Sequence, residues 1–186
     1  WELWKTDGTA SGTVMVKDIY SGTCCSSNPS DLTAVGNTLY FRANDGINGT
    51  ELWKSDGTTS GTVMVQDINA GNAGPRQSVL MGNTLYFQAT DGSSGGELWA
   101  LDPANITGLG GGSGSSGSGT TTNGNGTTWR VADIYGGTGS STPGSYMEIL
   151  VGDTLYFNAN DGSNGHELWA HDTSNTSTWQ VADIKS

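Results

Sequence analysis

Basic residues are scarce in this chain. Seven Lys and Arg stand against eighteen Asp and Glu, a formal net charge of −11. A surface of that sign repels phosphate backbones and anionic headgroups, so no nucleic-acid partner is expected. Long apolar runs are missing too. No stretch approaches the roughly 18 apolar residues of a spanning helix, so no membrane insertion is expected. No basic segment leading into an apolar one opens the chain, which begins at Trp1 inside a repeat; any leader would lie outside these residues. Cysteine is confined to the neighbours Cys24 and Cys25. Adjacent cysteines cannot close an ordinary loop, and no further Cys or His nearby completes a zinc site. Three readings stay open for the pair: free thiols in an exposed loop, a vicinal disulfide, or pairing with another chain in an oxidising compartment.

What the chain has in abundance is glycine and tryptophan, 30 and 7 in 186 residues, with only 13% charged residues. This describes a turn-rich β protein whose short strands are anchored by large aromatics. The length suffices for a substantial core and by itself suggests one domain. Internal repetition is the dominant signal. Glu-Leu-Trp recurs at 2–4, 51–53, 97–99 and 167–169, and Asp-Ile at 18–19, 67–68, 133–134 and 183–184. Glu to Asp spans 16 residues in three copies (2→18, 51→67, 167→183) and 36 in the third (97→133), which therefore carries 20 extra. Thr-Leu-Tyr-Phe starts at 38, 84 and 154.

Each repeat reads as four short strands. In the second, Asp31–Val35 leads through Gly36-Asn37 into Thr38–Ala43; Glu51–Lys54 and Thr62–Ile68 follow. A two-residue loop with Gly first predicts a type II′ hairpin, and Gly82-Asn83 and Gly152-Asp153 repeat the device. The runs Leu-Tyr-Phe, Glu-Leu-Trp and Val-Met-Val do not alternate cleanly, as in strands covered on both faces. The expected fold is all-β: a β-propeller-like array of four-stranded antiparallel blades, roughly three and a half repeats long. The expected units are a half repeat at 1–19 with only third and fourth strands, then 31–68, 77–134 and 146–184. Residues 108–128 form a Gly/Ser/Thr/Asn tract that cannot offset its ordering entropy by burial, so a flexible insertion is expected there. Its Gly110–Gly119 core resembles an engineered linker, and a natural low-complexity loop fits equally well. Trp129 and Trp179 stand where Val14 and Val63 stand in earlier copies, which predicts bulkier packing on the last strand.

The run Glu51-Leu52-Trp53-Lys54-Ser55-Asp56-Gly57-Thr58, followed by Gly61-Thr62 and Asp67-Ile68, resembles the bacterial ELWxxDGT repeat family. The opening copy, Glu2 through Ile19, matches equally well; later copies keep Glu-Leu-Trp and Asp-Ile but lose Asp-Gly-Thr. The resemblance implies a secreted or surface-exposed repeat protein with a propeller-like fold, and it implies no particular enzymatic activity.

The best candidate for chemistry is the loop before the third strand. It reads Asp45-Gly-Ile-Asn48-Gly-Thr-Glu51, recurs as Asp161-Gly-Ser-Asn164-Gly-His-Glu167, and is weaker as Asp91-Gly-Ser-Ser94-Gly-Gly-Glu97. Two readings compete. Carboxylate and amide oxygens separated by glycines could ligate Ca²⁺, although one loop supplies fewer ligands than the ion takes. Alternatively, each Asp caps its own backbone in an Asp-Gly turn. The aspartates of Asp-Ile, Asp18, Asp67, Asp133 and Asp183, are expected to accept backbone N–H bonds that fix one sheet against the next; a carboxylate-lined channel is the alternative. Trp4, Trp53, Trp99 and Trp169 recur at a fixed strand position and are expected in the core, against the alternative of sugar-stacking platforms. His166 and His171, five apart on one strand, point to opposite faces and cannot share a metal. Ser, His and Asp lack any nucleophile-elbow context, so no enzyme is expected.

The leading expectation is an extracellular or cell-surface structural or adhesive repeat protein acting through assembly or surface binding. A glycan- or ligand-binding propeller lectin is the alternative. The half repeat leaves the edge of Trp1-Glu2-Leu3-Trp4-Lys5 without a partner strand, and such edges associate. Self-association head to tail, or continuation in a longer repeat chain, is expected to place Trp1–Lys5 in a contact.

Overall fold

A computed structural model describes residues 1–22, 24–103, 128–145 and 148–183. The expected insertion, apart from Thr128, and Ile184 lie outside the described residues. Within them the chain is all-β, with no α-helix. Four antiparallel sheets follow one another. The first is a pair, β1 (Leu3–Lys5) and β2 (Val14–Lys17). The second is the meander β3 (Ser30–Val35), β4 (Thr38–Asn44), β5 (Thr50–Ser55) and β6 (Val63–Gln66). The third is β7 (Arg76–Met81), β8 (Thr84–Ala89), β9 (Glu97–Leu101) and β10 (Thr128–Ala132). The fourth is β11 (Glu148–Val151), β12 (Thr154–Asn160), β13 (His166–Asp172) and β14 (Ser177–Ala182).

The hairpins form as their glycines dictate. Val35 pairs with Thr38, Met81 with Thr84 and Val151 with Thr154, leaving two-residue loops. Gly36, Gly82 and Gly152 take φ of +58°, +55° and +60° while the residue after each keeps φ negative, the type II′ pattern. Register shifts fall at matching places in successive sheets. One lies between Leu and Trp of Glu-Leu-Trp at Leu3/Trp4, Leu52/Trp53 and Leu168/Trp169. Another lies at Ser30/Thr33 and Arg76/Val79, where Asp31 and Gln77 carry positive φ.

The irregular apolar runs are explained by how the sheets stack. In Leu-Tyr-Phe, Phe41 packs with Trp53 against Leu3 and Val16 of the first sheet. Its neighbour Tyr40 faces the other way and packs with Leu52 and Val65 against Leu85, Phe87 and Trp99 of the third. Tyr86, Leu98 and Ala100 of the third sheet then meet Leu155, Phe157 and Ala159 of the fourth. Consecutive residues thus serve opposite interfaces. Phe41, Phe87 and Phe157 are all essentially inaccessible, and each such side chain stabilises the fold by about 1.5–3 kcal/mol.

Two faces remain uncovered. By strand register Trp4 and Met15 correspond to Trp53 and Met64, which cover the preceding sheet; here they are 57% and 45% exposed. At the other end Ile149, Val151 and Trp179 correspond to Val79, Met81 and Trp129, which pack against the following sheet. All three are exposed, together with Val181.

Candidate functional site

The recurring residues converge on the junctions between sheets. Three of the Glu-Leu-Trp glutamates, Glu2, Glu51 and Glu97, each reach two backbone amides that connect one sheet to the next. Glu51 Oε2 accepts from Ile68 N–H at 3.0 Å and Oε1 from Ala73 N–H at 2.9 Å. Glu97 accepts from Ile134 N–H at 3.0 Å, Ser141 N–H at 3.1 Å and the Ser141 hydroxyl at 2.6 Å. Glu2 accepts from Ile19 N–H at 2.9 Å, Ser27 N–H at 3.0 Å and the Ser27 hydroxyl at 2.6 Å. Glu167 is buried at the matching position of the fourth sheet. Amides of a connecting segment have no strand to pair with, and a carboxylate with two oxygens satisfies two of them at once.

The role expected of the Asp-Ile aspartates therefore belongs to glutamate. Asp18 and Asp183 are exposed, and Asp133 stands 3.7 Å from Arg130 in an ion pair within its own sheet. Asp67 Oδ1 is buried without a hydrogen-bond partner. The isoleucine beside three of these aspartates is what matters: Ile19, Ile68 and Ile134 are buried, and their N–H groups donate to the glutamates.

Charge at the junction follows its depth. Burial pushes the Glu51 carboxyl up to about 7 against the pull of the Ala73 and Ile68 N–H donors, and Asp67 nearby adds to the rise. Glu97 is raised for the same first reason, with Ser141 and Ile134 opposing. At Glu2 burial also raises the carboxyl, but the Ser27 hydroxyl and the surrounding N–H groups outweigh it and hold it below its ordinary value.

The seven-residue loops are turns of the Asp-capping kind. Asp45 Oδ1 accepts from Ile47 N–H at 2.9 Å and Asn48 N–H at 2.8 Å, and Oδ2 from Asn48 Nδ2 at 2.7 Å. Asp91 binds Ser93 and Ser94 N–H in the same way, and Asp161 binds Ser163 and Asn164 N–H. The Glu51 and Glu97 carboxylates are drawn to the junction instead, where backbone N–H groups engage them. Among the described residues no three His, Cys, Asp or Glu cluster as a metal site would require. The glycines have a different use. A Cβ on Gly49, at φ +80°, would fall 1.3 Å from the carbonyl oxygen of Gly71 in the connecting segment. The residue after Asp-Ile lies over the next turn: Tyr20 over Gly46, Asn69 over Gly92 and Tyr135 over Gly162.

Trp53 and Trp99 are buried and Trp169 half-buried, whereas Trp4 lies on the uncovered face. The indole N–H of Trp53, Trp99 and Trp169 is buried without an acceptor, so these side chains act through packing area. His166 is exposed and His171 buried, on opposite faces of β13. Cys24 and Cys25 are exposed free thiols with sulfurs 2.7 Å apart. Lys5 donates to Gly57 O at 2.8 Å across to the second sheet, and Asn28 N–H donates to Trp1 O at 3.3 Å.

Three segments of the junctions share a sequence pattern outside the Glu-Leu-Trp and Asp-Ile signatures. Ser27-Asn28-Pro29, Ala73-Gly74-Pro75 and Ser141-Thr142-Pro143 follow one pattern. The first residue meets the glutamate, and the second takes φ of +48°, +56° and +44° respectively. Proline at the third position presets the entry into the next sheet.

No protein-family model matches the chain, and no curated protein does. Among the described residues no helix is long and apolar enough to cross a membrane, which says nothing of strands.

Proposed function

We propose that this chain is a module of an extracellular or cell-surface structural or adhesive repeat protein. Its sheets are the blades of a propeller-like array, and it works through assembly rather than catalysis. The observation that carries this reading is the pair of uncovered faces. Trp4 and Met15 at one end, and Ile149, Val151, Trp179 and Val181 at the other, are the two halves of the contact that internal sheets make with each other. Exposed apolar faces signal association, and their non-identity makes the contact heterologous, whether with further repeats of a longer chain or head to tail with a second copy. The uncovered edge of β1 supplies backbone groups for the same contact. The resemblance of the repeats to secreted bacterial repeat proteins supports the compartment.

Negative-stain electron microscopy of the purified chain tests the proposal. Ordered linear polymers whose abundance grows with concentration are expected. A uniform field of single particles at every concentration would count against it.

A further inference from the structure

The connection from the first sheet to the second is longer than its junction requires. Ile19 and Ser27, whose N–H groups Glu2 accepts, stand eight positions apart (19→27). The next two junctions make the same join in five positions (68→73) and seven (134→141), both without cysteine. Cys24 and Cys25 lie in this longer connection and are exposed, so neither fills a core. Their sulfurs are 2.7 Å apart, and the chain has no other cysteine to compete for either.

Tyr20 gives the pair a direction. Its half-buried ring lies over the turn at Gly46, where an added Cβ would fall 2.6 Å from Tyr20 Cζ. Tyr135 takes the same seat over Gly162 in a connection without cysteine, so the seat belongs to the repeat. The Tyr20 hydroxyl hydrogen-bonds to Cys25, and that bond raises the phenol above its ordinary value. The Cys24 thiol is raised as well, first through its hydrogen bond to Cys25. Cys25 therefore stands between two groups that keep their protons, and of the two thiols it is the one free to act as nucleophile.

We propose that Cys24 and Cys25 are a reversible modification site for small-molecule disulfides, with Cys25 attacking and Cys24 resolving. The Cys25 thiolate attacks one sulfur of the incoming disulfide, expels one thiolate and is left as a mixed disulfide. Cys24 then gives up its proton and attacks Cys25 Sγ; the Cys24–Cys25 bond forms and the second thiolate leaves. The two protein thiols are oxidised, and the small disulfide takes up both electrons and both protons as two thiols. Neighbouring Cα atoms lie about 3.8 Å apart across a trans peptide, closer than the roughly 4.4–6.8 Å that disulfides prefer. A bond between adjacent cysteines is therefore strained, and strained exposed disulfides are the readily reduced ones. The site does not depend on head-to-tail assembly, and either can fail without the other.

The test mixes the full, reduced chain with excess oxidised glutathione and follows intact mass and thiol alkylation over time. The wild type is expected to end lighter by two hydrogens, with no glutathione retained, and dithiothreitol should restore both thiols. Cys24→Ser lacks the resolving thiol and should keep one glutathione on Cys25. Cys25→Ser should react about tenfold more slowly than Cys24→Ser, because the remaining thiol is the one held protonated. Both positions are exposed, so neither serine variant should lose its fold. A wild type that retains one glutathione on each cysteine overturns the proposal. So does a wild type left unreacted, or equal rates in the two serine variants.

Discussion

The Glu51 carboxylate and the Ala73 N–H, 22 positions apart, meet at 2.9 Å where the second sheet gives way to the third. Glu97 and Ser141 repeat the relationship one sheet later, and Glu2 and Ser27 one sheet earlier. A single carboxylate thereby holds the end of one sheet and the start of the next. Glu51→Ala would leave the Ile68 and Ala73 amides buried without acceptors, at about 1–3 kcal/mol each. A loss of about 3 kcal/mol or more is expected in urea unfolding, against about 0.5 kcal/mol for Asp18→Ala at an exposed site. Equal losses would return the structural role to the aspartates.

The same carboxylate predicts a pH dependence. Its folded value, about 7, lies above the ordinary 4.5. A raised carboxyl stabilises the fold fully below the unfolded value, and that contribution is lost as pH rises through the folded one. Tm should therefore fall from pH 4.5 toward 7 in the wild type, and this part of the fall should vanish in Glu51→Gln. Glu2, held low, contributes with the opposite sign, and its stabilisation is lost as pH drops. An identical pH profile in Glu51→Gln would contradict the assignment.

Gly49, in the loop that Asp45 opens, is required for a close backbone contact. Gly49→Ala would drive a Cβ into Gly71 O and should cost about 2–4 kcal/mol. Gly57→Ala, with a similar φ of +85° and open space around it, should cost only about 1–2 kcal/mol. Because the loop aspartates are engaged by backbone N–H groups, millimolar calcium and chelator should give the same Tm. A calcium-dependent rise would restore the ligand reading of Asp45, Asn48, Asp91, Asp161 and Asn164.

Thr142 holds φ +44° at the place where the preceding junction uses Gly74. A β-branched residue is strained there, by about 1–2 kcal/mol. Thr142→Gly should raise Tm even though glycine adds disorder to the unfolded chain; a fall in Tm would mean that Thr142 is held by contacts worth more than the strain.

Much of the fold was legible because its signals are local. Gly-Asn loops state their own turn type, and Leu-Tyr-Phe without alternation states that both faces are covered. The junction was not legible to the same depth. Glutamate and aspartate both recur in every repeat, and nothing in their spacing says which one is buried. Connectivity decides it: Glu51 and Glu97 sit in inner strands of four-stranded sheets and are buried, while Asp18 and Asp133 follow the last strand and reach solvent. The Asn28-Pro29, Gly74-Pro75 and Thr142-Pro143 pairs went unread because their first residues share no chemistry, only a backbone conformation. The change from Val63 to Trp129 was visible as bulk, but that Trp129 packs into the contact with the fourth sheet needed the register.

Assembly through unlike faces has a direct test in sedimentation velocity with two surface variants. Trp4→Lys spoils one face and Trp179→Lys the other, and both side chains are exposed enough to change without unfolding the chain. The wild type should form species that lengthen with concentration. Each variant alone should remain a monomer. An equimolar mixture should give a dimer and nothing larger, because one intact face of each kind remains. A monomeric wild type, or a mixture that stays monomeric while the wild type assembles, would contradict the account.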